Sequence, residues 1–165
     1  GARFGSGVTI PDLGIVLNNG MMWYNPEPGN LSSISSNKRA LHAAAPCLVF
    51  DENGPRAAIG SPGGRKIMSA VVQVLSNLID SEMSIQDAIA APRIHRENDF
   101  PVHVDALFPR SVSMNLLNQG HEIIVEKETF INSHFGRPSG ITINSETQCL
   151  HGGVEIYRPS VAIGY

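Results

Sequence analysis

Apolar residues recur along this chain in two rhythms, and the changes of rhythm divide it into elements. Gly7–Val8–Thr9–Ile10 predicts a short strand and Gly14 to Leu17 a second, with Pro11–Asp12 as the turn between them. From Asn18 to Asn37 periodicity gives way to Asn, Ser, Pro and Gly, and a loop of that length is either functional or disordered. Pro46 to Phe50 and Arg56 to Ile59 are strand-like runs on either side of "DENGP", where Asn53–Gly54 is a strong hairpin signal. The period then changes. Ile67, Val71, Val74, Leu75 and Leu78 fall at helical spacing with Met68, Val72 and Ile79 beside them, and so broad an apolar face predicts a well-buried helix. Ser84 is placed to cap a second helix, with Asp87 three residues on as a capping-box-like pair and Pro92 as the stop. A third helix fits Ser111 to Gln119, stopped by Gly120, and His121 to Glu126 reads as a strand. Ser139 to Asn144 and Gln148 to Gly153 read as a hairpin around "SET", and Val161 to Ile163 as a last strand. Strands, then helices, then strands predict an α+β fold, an antiparallel sheet against helices, within a single domain over residues 1–165.

Composition narrows the function classes. The chain has 165 residues, 42% of them apolar and only 16% charged, so a sizeable core is available and part of the surface is expected to be covered by another chain. A net charge of −3 argues against nucleic acid and anionic membranes as partners, and no run approaches the roughly 20 apolar residues that span a bilayer. The first residues do not read as a signal peptide, and with Gly1 in place of an initiator Met the true beginning of the protein is expected to lie upstream. Cys47 and Cys149 are expected to be buried free thiols, with a single bridge as the alternative. The six His are scattered without ligand spacing, so no metal site is expected.

The most distinctive stretch is "AAIGSPGGRKIM", Ala57 to Met68: a strand, five small residues, then a helix. Gly63 and Gly64 fall where the helix begins. The first N–H groups of a helix have no internal partner and carry the positive end of its dipole, and glycine lets an oxygen approach them. Such a turn suits a carboxylate, a phosphate or a developing oxyanion, and it equally suits tight strand–helix packing. The missing Gly-Lys-Ser/Thr argues against a P-loop, and the unmatched GxGxxG against a dinucleotide fingerprint. In "NKRALHAAAP", Lys38 and Arg39 are an anion site or a solvated basic pair, and His42 is a catalyst or a structural residue. "PRIHREND", Arg93 to Asp99, reads as an ion-paired loop after the second helix.

Six segments in register resemble the small subunit of the γ-glutamyltransferase family, which includes related acylases and amidohydrolases. They are "FGSGV" (Phe4 to Val8), "GIVLNNGM" (Gly14 to Met21), "NKR" followed by Leu41 and Pro46, "GSPGG" (Gly60 to Gly64), "APRIH" (Ala91 to His95) and the terminal "GY". The resemblance implies part of an N-terminal nucleophile hydrolase αββα sandwich. It implies a proenzyme that cleaves itself into a large and a small subunit, whose new N-terminal Thr attacks an amide carbonyl. An acyl-enzyme forms and passes to water or an acceptor amine, without a cofactor. The implied partners are the large subunit and a small-molecule amide. Gly63 and Gly64 fall on the family's oxyanion hole. The substrate-binding positions fall on Gly20 and Trp23, and on His42 and Ala43, where the family's polar contacts to a γ-glutamyl group are replaced. The family's nucleophile corresponds to no residue here and is expected upstream of Gly1. A γ-glutamyltransferase-like amide hydrolase or acyltransferase is therefore expected; the alternatives are an enzyme for a non-glutamyl amide and a degenerate, non-catalytic subunit.

Overall fold

The computed structural model describes residues 5–98 and 100–164. Phe4, which opens one of the quoted segments, and Asp99 and Tyr165, which close two others, lie outside the described residues. The elements in chain order are β1 (Thr9–Ile10), β2 (Ile15–Val16), a 3-10 turn (Gly20–Trp23), β3 (Cys47–Asp51), β4 (Gly54–Gly60), α1 (Lys66–Ile79), α2 (Ile85–Ala90), β5 (Ile94–His95), β6 (Val102–Asp105), α3 (Arg110–Asn118), β7 (Ile123–Glu126), β8 (Ser139–Ile143) and β9 (Leu150–Val154). They fall into two compact units, residues 1–42 and 43–165.

In the first unit β1 and β2 form the expected antiparallel ribbon, Thr9 opposite Val16. The ribbon continues past both strands through Leu17 N–H to Val8 O and Ser6 N–H to Leu17 O. The long loop is organised by short-range hydrogen bonds. The Asn18 carboxamide accepts from Gly20 N–H at 2.7 Å, Asn25 N–H donates to Ser32 O, and the buried Ser33 hydroxyl donates to Glu27 O. Asn and Ser in such a loop replace a sheet ladder with local side-chain partners.

The second unit contains two sheets. The larger has the order β3-β4-β8-β9 and is antiparallel throughout. Helices α1 and α2 cover one face of it. Ile59, Val71, Val74, Ile85, Ala88 and Ile89 make the core there, with Cys47, Ile67, Leu75 and Leu78 against them. Glycine sets how closely α2 can lie: a Cβ at Gly153 would stand 2.9 Å from Ile85 O, backbone against backbone. The Gln86 carboxamide then bonds both the N–H and the C=O of Val154, fixing α2 to the last strand. Ser84 caps α2 as its spacing predicts, its Oγ accepting from Asp87 N–H.

The smaller sheet departs from expectation. Its order is β5-β6-β7, and β6 runs parallel to β7 with α3 as the crossover, so the fold is not antiparallel throughout. A parallel pair needs such a crossover, whereas neighbours in a hairpin do not. Neither β5 nor β6 is signalled by periodicity, and Ile94–His95 lies inside the stretch read as a loop. The ion pairs expected there are present, Arg65–Glu97 and His95–Glu97. Three further expectations are corrected. Residues 161–163 form no strand. Helix α1 is buried on part of its surface only: Ala70, Val71 and Val74 are buried, whereas Met68, Val72 and Ile79 are each more than half exposed, because the described elements leave that side of the helix uncovered. Cys47 and Cys149 are free, but Cys47 is only half-buried and Cys149 is exposed beside the β8–β9 turn.

Candidate functional site

The turn between β4 and α1 leaves two backbone amides without a hydrogen-bond partner among the described residues. Gly63 has φ +147° and Gly64 φ +62°, both in the region that favours glycine. Their carbonyls turn into the helix, accepting from Lys66 N–H and Ile67 N–H at 3.2 Å each. Among the described residues, neither Gly63 N–H nor Gly64 N–H donates a hydrogen bond. Both precede the first turn of the 14-residue α1, at the positive end of its dipole. Gly63 is exposed and Gly64 partly so, and an incoming oxygen can therefore reach them.

A second layer holds the turn. Ser61 Oγ donates to Pro62 O at 2.8 Å and accepts from Arg137 N–H at 2.9 Å; the same N–H reaches Pro62 O. Gly136, at φ +74°, brings its backbone against Gly63: a Cβ on Gly63 would meet Gly136 Cα at 2.9 Å. In the sequence Ser61 is one small residue among five, and no local signal marks Gly136 or Arg137. Nothing local ties "HFGRPSG" to "GSPGG", because the tie is the long-range pairing of β4 with β8.

On the other side of the helix start, Arg65 Nη1 binds Glu97 Oε2 at 3.2 Å. Glu97 Oε1 faces His95 Nε2 at 3.2 Å, and His95 Nδ1 faces Ser69 Oγ at 2.8 Å. Burial pushes the Glu97 carboxyl up, but hydrogen bonds and charge from His95 and Arg65 outweigh it and hold the group below its ordinary value. This array orients a buried imidazole at the foot of α1. Arg93, which precedes it, is buried and donates to Phe135 O, Ile89 O and Ala91 O. Desolvation lowers its pKa, and the charges of Asp105, Glu128 and Glu155 act the other way.

The remaining predicted residues divide between the units. In the first, Gly20 opens the 3-10 turn that Trp23 closes. The Trp23 ring lies 5.9 Å from the His42 ring at a 55° tilt, so the fold brings these two together. Trp23 Nε1 is buried without a hydrogen-bond partner among the described residues. Ala43 belongs to the second unit, half-buried in the extended run before β3. No helix among the described residues is long and apolar enough to cross a membrane.

Comparison with known proteins supplies the wider frame. The family model described as gamma-glutamyltranspeptidase matches residues 1–165. The glutathione hydrolase proenzyme of Bacillus subtilis is 29% identical over 161 residues, 98% of this chain and 27% of the relative. The acylase ACY 1 proenzyme of a Pseudomonas species is 35% identical over 121 residues, 73% of this chain and 22% of the relative. The chain thus spans about a quarter of the length of the curated relatives it matches. A crystal structure of Helicobacter pylori gamma-glutamyltranspeptidase superposes with a TM-score of 0.82 at 29% identity, covering 95% of this chain and 89% of that one. The mixed helix and sheet arrangement is therefore part of the N-terminal nucleophile hydrolase fold seen in that enzyme. With the whole sequence matched and the fold shared, this chain belongs to the gamma-glutamyltranspeptidase family.

Proposed function

We propose that the protein carrying this chain hydrolyses or transfers the acyl group of a small-molecule amide through an N-terminal Thr acyl-enzyme, and that residues 1–165 are the small-subunit portion. The Thr is contributed from outside this chain, and the large subunit of the same proenzyme is the partner. The observation that carries the reading is the pair of unpartnered, accessible amides at Gly63 and Gly64. When an amide carbonyl is attacked, its oxygen gains negative charge, and donors already aimed at that oxygen lower the barrier without reorganising. Ser61, Gly136 and Arg137 contribute by holding the turn in place.

The acyl group is not γ-glutamyl on this reading. Gly20 offers no side chain, Trp23 no carboxylate and Ala43 no hydroxyl, so a charged glutamyl group loses its expected partners. The Trp23–His42 ring pair favours a flatter, less charged acyl group. Similarity to an acylase proenzyme supports this choice.

Two substitutions test it in the complete protein. Gly64→Ala is expected to lower kcat by roughly 10²- to 10³-fold while autoprocessing and KM change little. Wild-type kcat/KM for aromatic or aliphatic acyl amides is expected to exceed that for γ-glutamyl amides. Unchanged kcat in Gly64→Ala would remove the oxyanion role, and a preference for γ-glutamyl substrates would overturn the specificity.

A further inference from the structure

We infer that His103, Glu126 and His134 form a binding site for a divalent transition-metal ion, with zinc the best match. These residues are far apart in sequence, and the sequence carries no ligand spacing for them. The parallel pairing of β6 and β7 creates the cluster. His103 pairs in register with Ile124, and because side chains alternate along a strand, Glu126 projects on the same face as His103. His134 arrives from the segment that follows β7. Its N–H is bound by Glu128 Oε2 at 2.7 Å, its neighbour Ser133 offers O to Lys66 Nζ at 2.7 Å, and its ring leans on the buried Phe135. The third ligand is thus held from both sides before any ion binds.

The three donors converge at distances that one ion can bridge, and without an ion His103 Nδ1 and Glu126 Oε1 share a hydrogen bond. His103 Nδ1 and His134 Nδ1 lie 3.2 and 3.6 Å from the same oxygen, Glu126 Oε1, and all three donor atoms lie within 4.8 Å of one another. Ligands on a tetrahedral zinc at about 2.0–2.1 Å are separated by about 3.3–3.4 Å along each edge. Two imidazoles and one carboxylate are also a donor set that zinc accepts with one position left over. Both imidazoles line a cavity of about 270 Å³ together with Lys66, His95, Glu97 and Phe100, so that position has room for water or a small ligand. Each donor is about one-quarter to one-third exposed, which gives an ion a way in.

The test uses the full protein after chelator treatment and dialysis. Titration with zinc, followed by calorimetry or by competition with a metal indicator, is expected to show one saturable site. Cobalt at that site is expected to give the visible d–d absorption of a tetrahedral complex. His103→Gln, His134→Gln and Glu126→Gln should each weaken zinc binding by more than the roughly 10- to 100-fold that loss of an outer-sphere partner costs. His121→Gln, a histidine outside the cluster, should leave it unchanged. Circular dichroism of each variant checks that the fold is retained. Should a variant unfold, the cobalt spectrum of the wild type decides by itself. Absence of saturable zinc binding, an octahedral cobalt spectrum, or equal binding by folded cluster variants would overturn the site.

Discussion

A methyl group on Gly63 would need a backbone conformation that L side chains avoid and would stand 2.9 Å from Gly136 Cα. Gly63→Ala is therefore expected to destabilise the protein by about 1–3 kcal/mol in urea denaturation, apart from any effect on catalysis. Arg93 makes a second kind of demand. Its guanidinium satisfies carbonyls from α2, from the residue after it and from Phe135, amid three buried carboxylates. Arg93→Met removes the cation and leaves acceptors unpaired, an expected loss of about 3–5 kcal/mol measured the same way. Glu97 makes a milder, pH-dependent contribution. Its folded pKa is depressed, so its stabilisation is present above the unfolded carboxyl value, near 4.3, and is lost as pH falls through the lower folded value. Arg65 is exposed and Glu97 itself about one-third exposed, so solvent screening keeps the contribution small, about 0.2–1 kcal/mol. Glu97→Gln should flatten the acid limb of a stability–pH curve below about pH 4 and leave the neutral region only slightly lower. The small-residue run was legible in the sequence because glycine at a helix start has a local reason. Gly136 and His134 were not, since each acts on residues it meets only after the sheets form.

At the scale of elements, α2 has only six residues and depends on its ends. Ser84 Oγ accepts from Asp87 N–H and donates to Asp87 Oδ2 at 2.6 Å, so Ser84→Ala should cost about 1 kcal/mol, read as a lowered Tm. This helix, α1, α3, both outer hairpins and β7 were readable from the chain because each carries its own signal: a cap, a helical period, or a turn residue. Strand β5 carries none. It is two residues long, and the Gln73 carboxamide on α1 bonds both Ile94 N–H and Ile94 O, acting as a substitute neighbour along its edge. Strand β6 is four residues with a His in its middle, too short for alternation to stand out. The breadth of the apolar face on α1 was visible. Which part of it this chain covers was not, because periodicity shows that a face needs a partner and not which chain provides it.

At the scale of the molecule, the four-stranded sheet has helices on one face only. On the other, Leu48 and Ile141, in line across Ala58, are 64% and 46% exposed, and among the described residues Ala162 is the neighbour that would block a Cβ at Gly152. A second sheet packs at about 10 Å on such a face in a sandwich, which is the place for the proposed large subunit. Leu48→Gln with Ile141→Gln should keep this chain soluble by itself and weaken its co-purification with the complementary subunit, as judged by size-exclusion chromatography. The same sheet has a consequence for the order in which the chain acquires its shape. Strand β4 finds β3 at once through a tight hairpin, but its other edge must wait for β8: Ile59 pairs with Gly140, roughly eighty residues later. During synthesis the middle of the future sheet is therefore an open edge, and so is the turn that Gly136 will later brace. An intermediate of that kind invites pairing between neighbouring nascent chains. Slower elongation between β4 and β8 should lengthen its lifetime and lower the soluble yield, whereas slower elongation after β9 should do neither.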